Sequence, residues 1–388
     1  MKIVIAPDSF KGSLSAVEVS QAMAIGARRV FPNGILELVP MADGGEGTVQ
    51  TLVESTGGIM IPARVTGPLG DPVDAFFGIM GDGHTAIIEM ASASGLPLVP
   101  LEKRDPRITT TFGTGELIKA ALEKGCRKII IGIGGSATND GGAGMAQALG
   151  IHFLDNTGAE LQRGGLALRN LERIDISGKY KLLNEAQVIV ACDVTNPLTG
   201  SLGAAAVYGP QKGATEEMVL QLDQALKRFS KVIERDFQIS VDNLPGAGAA
   251  GGLGAGLAVF LNGKLKPGVE IITEVVKLED KLLDAQLVIT GEGRMDSQTI
   301  HGKTPIGVAR TAKKFKLPVL AVAGSLGPGV AMVYEHGIDG ISACLDRPLS
   351  LEEAINHAAE LVADATERML RTYLAGRQYG LGNLHRNI

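Results

Sequence analysis

The sequence predicts an α/β protein of two domains, in which a discontinuous parallel-sheet domain carries an inserted mixed α/β domain. Three observations point there. Strand, polar loop and helix alternate twice between Lys2 and Val53. Three strand patterns joined by short turns then follow from Met60 to Met90, and from Leu287 the strand-then-loop pattern returns. A chain of 388 residues also exceeds one ordinary core. The expected boundaries put 1–65 and 285–388 in the outer domain and 66–284 in the inserted one.

Lys2–Ala6 reads as a short buried strand ending in a loop that begins at Pro7. A helix starts near Ser15, with Glu18 completing a capping box, and buries Val19, Ala22, Met23, Gly26 and Val30 before Pro32 and Gly34 close it. Leu36–Pro40 is a second strand, followed by a loop (Ala42–Gly47) and a helix through Val53. Met60–Val65, Val73–Met80 and Thr85–Met90 are consecutive strands with antiparallel character, turned at Gly67-Pro68 and Gly81–Gly83. A helix over Thr114–Lys124, stopped by Gly125, leads into the β-branched run Ile129–Ile133 and then a glycine-rich loop. A short helix is expected at Ile151–Leu154, a strand at Val188–Ala191, an amphipathic helix over Thr215–Ile233 and a second glycine-rich segment at Gly246–Gly256. Leu287–Thr290, Val319–Ala323 and Gly340–Leu345 are further strands, each ending in a polar loop. Ser350 and Glu353 repeat the capping box and open a long final helix, with a loosely ordered tail after Gly376.

Composition narrows the function. Hydrophobic residues at 45% and charged residues at 20% describe a globular protein. Trp is absent, aromatics are few and the net charge is −5, which argues against a nucleic-acid partner. Cys126, Cys192 and Cys344 are far apart and lack metal-ligand spacing, so they are expected to be reduced and buried, as in a cytoplasmic protein. The N-terminus opens on a strand pattern rather than a leader, and the longest uncharged stretch, Leu244–Leu261, is too rich in glycine for a membrane span. The oligomeric state is not set by these features.

The loop Gly132–Met145 reads G-I-G-G-S-A-T-N-D-G-G-A-G-M. Such a loop can aim several N–H groups at an anion, usually a phosphate, so Gly134, Gly135, Ser136, Thr138, Asn139 and Asp140 are candidate binding residues. Acidic residues recur just beyond strand ends at Asp8, Asp43, Asp193, Glu292 and Asp346, where open parallel sheets bind ligands. One such residue is an ordinary turn or cap; five in parallel positions make a collective signal. Mg²⁺ bound with a nucleotide needs only one or two carboxylates, and phosphoryl transfer adds cations near the phosphates, for which Lys11, Arg294 and Lys303 lie in the same kind of loop.

Standard motifs fit less well. Gly302-Lys303-Thr304 lacks the first glycine of a P-loop, since Ser297 stands there. Gly132, Gly134 and Ala137, with Asp155 further on, match a dinucleotide fingerprint and support a rival reading, an NAD-dependent oxidoreductase of a small hydroxy acid. A non-catalytic small-molecule binding protein is the second rival. Ser92 and Ser94 lack G-x-S-x-G, so with Glu89 they are expected to cap a helix or bind a polar ligand, and the six histidines form no zinc motif.

Several long stretches, in order, carry a resemblance: Ala6–Ala16 (A-P-D-S-F-K-G-S-L-S-A), Pro40–Thr48 (P-M-A-D-G-G-E-G-T), Gly134–Gly144 (G-G-S-A-T-N-D-G-G-A-G), Cys192–Leu198 (C-D-V-T-N-P-L) and Thr290–Thr299 (T-G-E-G-R-M-D-S-Q-T). From residue 3 to about 375 the chain resembles the type 1 glycerate kinases. The resemblance implies an ATP- and Mg²⁺-dependent kinase of D-glycerate, a flavodoxin-like outer domain and an inserted domain likened to restriction endonucleases. It favours 2-phosphoglycerate as product, with the 3-phospho isomer as the alternative, and the site is expected in the interdomain cleft. On that basis Lys11 and Arg294 are candidates for the glycerate carboxylate, and Asp193 or Asp296 for orienting the attacking hydroxyl. Asp43 or Glu46 would hold Mg²⁺. Asp8, Ser9, Asn196, Gly291, Glu292 and Gly293 complete the expected binding loops.

Overall fold

The structure is a computed structural model that describes residues 1–45 and 47–379. Its strands, in chain order, are β1 (Lys2–Ile5), β2 (Ile35–Leu38), β3 (Ile59–Thr66), β4 (Pro72–Ile79), β5 (Thr85–Glu89), β6 (Lys128–Gly132), β7 (His152–Leu154), β8 (Arg173–Asp175), β9 (Gln187–Ala191), β10 (Lys264–Lys266), β11 (Leu287–Met295), β12 (Val319–Leu326) and β13 (Gly340–Ala343). The chain divides into two compact units, Met1–Asp43 with Val269–Ile388, and Gly44–Gly268.

The first unit holds a five-stranded sheet in the order β2-β1-β11-β12-β13, parallel throughout. Taken within the unit that order is 2-1-3-4-5, so the sheet reverses direction of growth between β1 and β11. β1 and the first halves of β11 and β12 are buried on both faces, which explains why they read as continuous apolar runs rather than alternating ones, whereas the edge strands β2 and β13 are partly exposed. Ile3, Ile5, Ile289 and Val322 pack against Val19, Met23 and Ala27 of the helix Ala16–Val30 and Val362 and Ala365 of the helix Ala358–Tyr379. Ser15 caps the first of these helices: its Oγ accepts from Glu18 N, and Glu18 Oε2 accepts from Ser15 N at 2.8 Å. The two helices touch at Gly26, where an added Cβ would stand 2.1 Å from the Ala363 carbonyl oxygen. The helix Thr304–Lys314 belongs to the same unit and packs at Gly307 against Val269.

The second unit has a mixed six-stranded sheet in the order β10-β9-β6-β5-β4-β3. The β3-β4-β5 portion is antiparallel and the β5-β6-β9-β10 portion parallel. Ile129 and Ile131 of β6 join a core that includes the rings of Phe153, Phe229 and Phe260, with Phe153 meeting Phe260 edge-on at 5.6 Å between centroids. The helix Glu216–Phe237, capped by Thr215, contributes Phe229 and Ile233 to it.

Several expectations change. The first crossing between units falls at Asp43–Gly44 rather than near residue 65, because β3 pairs with β4 along its length and the helix Thr48–Thr56 packs on Gly78 through Val53. The second falls at Gly268–Val269 rather than 285. Ile151–Leu154 is not a helix: it contains β7, antiparallel to β8, with Phe153 pointing into the core. Gly291–Met295 is not a loop but the second half of β11, paired with β12 as far as Met295↔Leu326. The final helix is two helices, Leu351–Asn356 and Ala358–Tyr379, separated at His357. Helix therefore continues through Gly376 to Tyr379, and residues 380–388 of the expected loose tail lie outside the described residues. The three cysteines are buried and free. Among the described residues no helix is long and apolar enough to cross a membrane.

Candidate functional site

In the first unit the loops after β1, β2 and β11 gather charged side chains at the carboxyl ends of the strands, beside the switch point. Asp8 follows β1. Its amide donates to the Gly291 carbonyl (2.8 Å), Oδ1 accepts from Ser9 N (2.7 Å) and Oδ2 accepts from the Thr304 hydroxyl (2.7 Å) at the start of the helix Thr304–Lys314. Burial pushes its carboxyl up to about 6, with Asp43 adding to the rise and Thr304, Ser9 and Lys11 opposing it. Lys11 Nζ lies 3.6 Å from Asp43 Oδ2. Gly293 permits the close course of the 8–14 loop, since a Cβ there would stand 3.3 Å from Phe10 Cα.

Glu292, near the end of β11, is buried, accepts from the Thr299 hydroxyl at 2.6 Å and pairs with Lys303 at 3.2 Å. Burial raises its carboxyl above the usual range against those two partners. Arg294 Nε pairs with Asp296 Oδ2 at 3.1 Å, and the backbone N–H of Gln298 holds Asp296 Oδ1 at 2.9 Å. The side chains of Lys11 and Arg294 are 64% and 63% exposed, so both cations can meet a ligand as well as their neighbouring carboxylates. Asp346 pairs with its neighbour Arg347 at 3.0 Å. A hollow of about 600 Å³ elsewhere on this unit, lined by Glu270, Arg310 and Lys314 among others, contains none of these residues.

In the second unit the parallel strands β5, β6 and β9 end at Glu89, the glycine loop and the segment after Cys192. Gly134 and Gly135 are exposed, and a Cβ on Gly134 would meet nothing within 4 Å. Their backbone is thus open to an anion. Ser136 is buried and bridges to Gly95. Thr138, Asn139 and Asp140 are wholly buried, so they shape the loop from within instead of lining its surface. Asp140 accepts from Thr111 N (2.8 Å), Thr111 Oγ1 (2.9 Å), Gly142 N (3.0 Å) and Gly144 N (3.2 Å). Burial raises its carboxyl and these bonds oppose the rise.

Asp193 is exposed, and its Oδ1 accepts from Gly268 N at 2.8 Å. Asn196 is engaged at both ends of its amide, donating to the Leu202 carbonyl and accepting from the Tyr208 hydroxyl. Glu89 Oε1 accepts from Val49 N at 2.9 Å and so caps the helix Thr48–Thr56, while Ser94 pairs with Thr114 inside the core.

The structure therefore brings Asp8, Ser9, Lys11, Asp43, Gly291, Glu292, Gly293, Arg294 and Asp296 to one end of the first sheet, and Gly134, Gly135, Ser136 and Asp193 to strand ends of the second. Glu46 lies outside the described residues. The dinucleotide reading is not supported: no helix opens at the fingerprint residues Gly134–Ala137, the next one starting only at Ala143, and Asp155 sits in a surface turn bonded to Thr157 and Ala159. Sequence pattern assigns no site role to Thr299, Thr304 or Lys212. Lys212 is wholly buried, donates to the Thr138 carbonyl at 2.7 Å and is pushed down to about 7 by burial, with Asp140 opposing.

Among the described residues no three acidic, histidine or cysteine side chains converge as a ready-made metal cage. Asp8 and Asp43 nevertheless lie close enough for one to raise the other, and their hard oxygen donors suit Mg²⁺ held jointly with phosphates.

A model of the glycerate kinase family matches residues 3–374. Glycerate kinase of Bacillus subtilis (strain 168) is 57% identical over 360 residues, covering 93% of this chain and 94% of that protein. Glycerate 2-kinase of Escherichia coli (strain K12) is 54% identical over 376 residues, 97% of this chain and 99% of that one. A crystal structure described as "putative glycerate kinase 2" from Salmonella typhimurium LT2 superposes with a TM-score of 0.90 at 53% identity, covering 97% of this chain and 99% of that chain.

Proposed function

The chain belongs to the glycerate kinase family, and on that premise we propose that it transfers the γ-phosphoryl group of ATP to a hydroxyl of D-glycerate, with the 2-hydroxyl favoured. Phosphorylation of glycerate follows from membership together with relatives of this identity that are named for that activity. The 2-position rests on likeness to the relative named glycerate 2-kinase. The observation that carries the chemistry is the cluster of charged residues at the carboxyl ends of the first sheet, where two exposed cations pair with the half-buried Asp43 and Asp296 and the carboxylates of Asp8 and Glu292 are buried. The 2-1-3-4-5 parallel order supports a flavodoxin-like reading of that unit. The likeness of the second unit to restriction endonucleases rests on family resemblance.

Phosphoryl transfer depends on positioning and charge stabilisation rather than covalent help from the protein. Lys11 and Arg294 would meet the glycerate carboxylate and the transferring phosphate. The open backbone of Gly134 and Gly135, with Ser136, would cradle phosphate oxygens. Asp193 or Asp296 would orient the attacking hydroxyl, each having one carboxylate oxygen fixed by a backbone N–H. Asp43 would hold Mg²⁺, with Glu46 as the alternative, and the bound ion would supply charge neutralisation at the phosphates.

Incubation with ATP, Mg²⁺ and D-glycerate, followed by ADP release and NMR of the product, tests activity and position together. Absence of turnover on any hydroxy acid would sink the kinase reading. Asp193→Asn should lower kcat by about 10²–10⁴-fold if its carboxylate orients the hydroxyl proton, and full activity would remove Asp193 from that role.

A further inference from the structure

We propose that Lys212 is a positioning residue for the reaction: from inside the second unit its ammonium grips the Thr138 carbonyl and holds the glycine loop in the shape that meets the phosphate donor. This rests on the reading of Gly134, Gly135 and Ser136 as the phosphate cradle.

A wholly buried lysine is rare and its charge is costly, and a methionine of similar length would fill the same space. The lysine is placed firmly. It ends the turn Pro210–Lys212, its N–H donates to the Gly209 carbonyl, and Gly213 follows with φ +94° packed so closely that a Cβ would stand 2.4 Å from the Arg104 carbonyl oxygen. Its target is a carbonyl 74 residues away in sequence, four positions past Gly134.

The loop has little else of its own to hold that point. Thr138 Oγ1 and both amide atoms of Asn139 are buried and have no hydrogen-bond partner among the described residues. Anchoring therefore falls to the main chain and to Asp140. The Thr109 hydroxyl holds the Ala137 carbonyl at 2.9 Å, Lys212 holds the Thr138 carbonyl, and Asp140 is held by Thr111, Gly142 and Gly144. Gly251, at φ +69°, closes over the same carbonyl, since a Cβ there would stand 1.9 Å from it. Lys212 is the charged member of this set of donors, and Asp140 is the charge that faces it.

Lys212→Met removes the charge and the donor while nearly preserving volume. In the full chain it should raise KM for ATP by about tenfold and leave KM for D-glycerate and kcat within about twofold. Lys212→Arg restores charge and donor in altered geometry and should raise KM for ATP less than Lys212→Met does. Thermal melts establish that each variant is folded. If Lys212→Met does not fold, Lys212→Arg decides by the same criterion, an effect confined to ATP. A loss spread equally over both substrates, or an unchanged KM for ATP in a folded Lys212→Met protein, would overturn the proposal. Gly134→Val separates it from its premise, because a side chain there meets open space yet blocks the backbone. An unchanged KM for ATP in Gly134→Val means the cradle reading fails. A raised one, with Lys212→Met unaffected, means only the role of Lys212 fails.

Discussion

Burial opposes the negative charge of Asp8, and Asp8→Asn should stabilise the protein at pH 8. Its carboxyl is raised from 3.8 to about 6, chiefly by burial. At about 1.36 kcal/mol per pH unit, ionised Asp8 weakens the fold by roughly 3 kcal/mol well above pH 6. A raised folded-state value means that the contribution of this group is fully present below pH 3.8 and is lost as pH rises through about 6. Asparagine removes that loss. Its carbonyl can keep the bond from Ser9 N, and its NH₂ can donate to the Thr304 hydroxyl, which accepts as readily as it donates. Imperfect exchange of these bonds costs about 1 kcal/mol, leaving a net gain of roughly 2 kcal/mol at pH 8. Denaturant unfolding of both proteins at pH 4, 6 and 8, without divalent cations, measures it. Terms from other groups are common to both proteins and cancel in the difference. The reasoning fails if the variant is the less stable protein at pH 8, or if the difference does not change between pH 4 and pH 8.

Three other substitutions probe separate features. Asp140→Asn places an NH₂ against a ring of N–H and O–H donors and should lower stability by roughly 2–4 kcal/mol, read from urea midpoints at constant slope. Gly26→Val forces apart the helices that meet at the Ala363 carbonyl and should lower stability by about 2–3 kcal/mol; an unchanged melting temperature would show that the helices can slide. Lys303→Met leaves Glu292 buried without its cation, and because Lys303 is itself partly open to solvent the loss should be only about 1 kcal/mol at pH 8. That loss should largely vanish in the double variant with Glu292→Gln, and its persistence there would assign it to packing instead.

How far the sequence reaches depends on whether a feature is local. The capping boxes at Ser15 and Ser350 involve residues three positions apart, and both form as the pattern predicts. The apolar runs of β1, β6 and β12 likewise identify strands without help from their partners. Ile151–Leu154 fails because four apolar-leaning residues carry no period that separates helix from strand, and the deciding partner, β8, lies some twenty residues on. The second half of β11 fails for the same reason: G-E-G-R reads as a turn, and only pairing with Ala323, Ser325 and Leu326 keeps it extended. The acids and cations of the first unit were visible because they recur after strands. The burial of Asp140 was not, since its donors Thr110 and Thr111 stand about thirty residues upstream. Lys212 belongs to no pattern at all, as a lone lysine in a turn looks like any solvated one.

The pairing of β1 with β11 sets Ile3 beside Leu287. The ribosome thus releases two of the five strands of this sheet long before the other three exist. During synthesis β1 and β2 emerge with their inner edge unpaired, whereas Gly44–Gly268 has its whole sheet available as soon as β10 is made. The second unit can fold on the growing chain, and the first must wait until β11, β12 and β13 are made. The long sequence separation also makes this closure slow on entropic grounds. Newly made chains should therefore pass through an intermediate with an ordered middle and an exposed N-terminal apolar strand, the segment that a nascent-chain chaperone would be expected to shield.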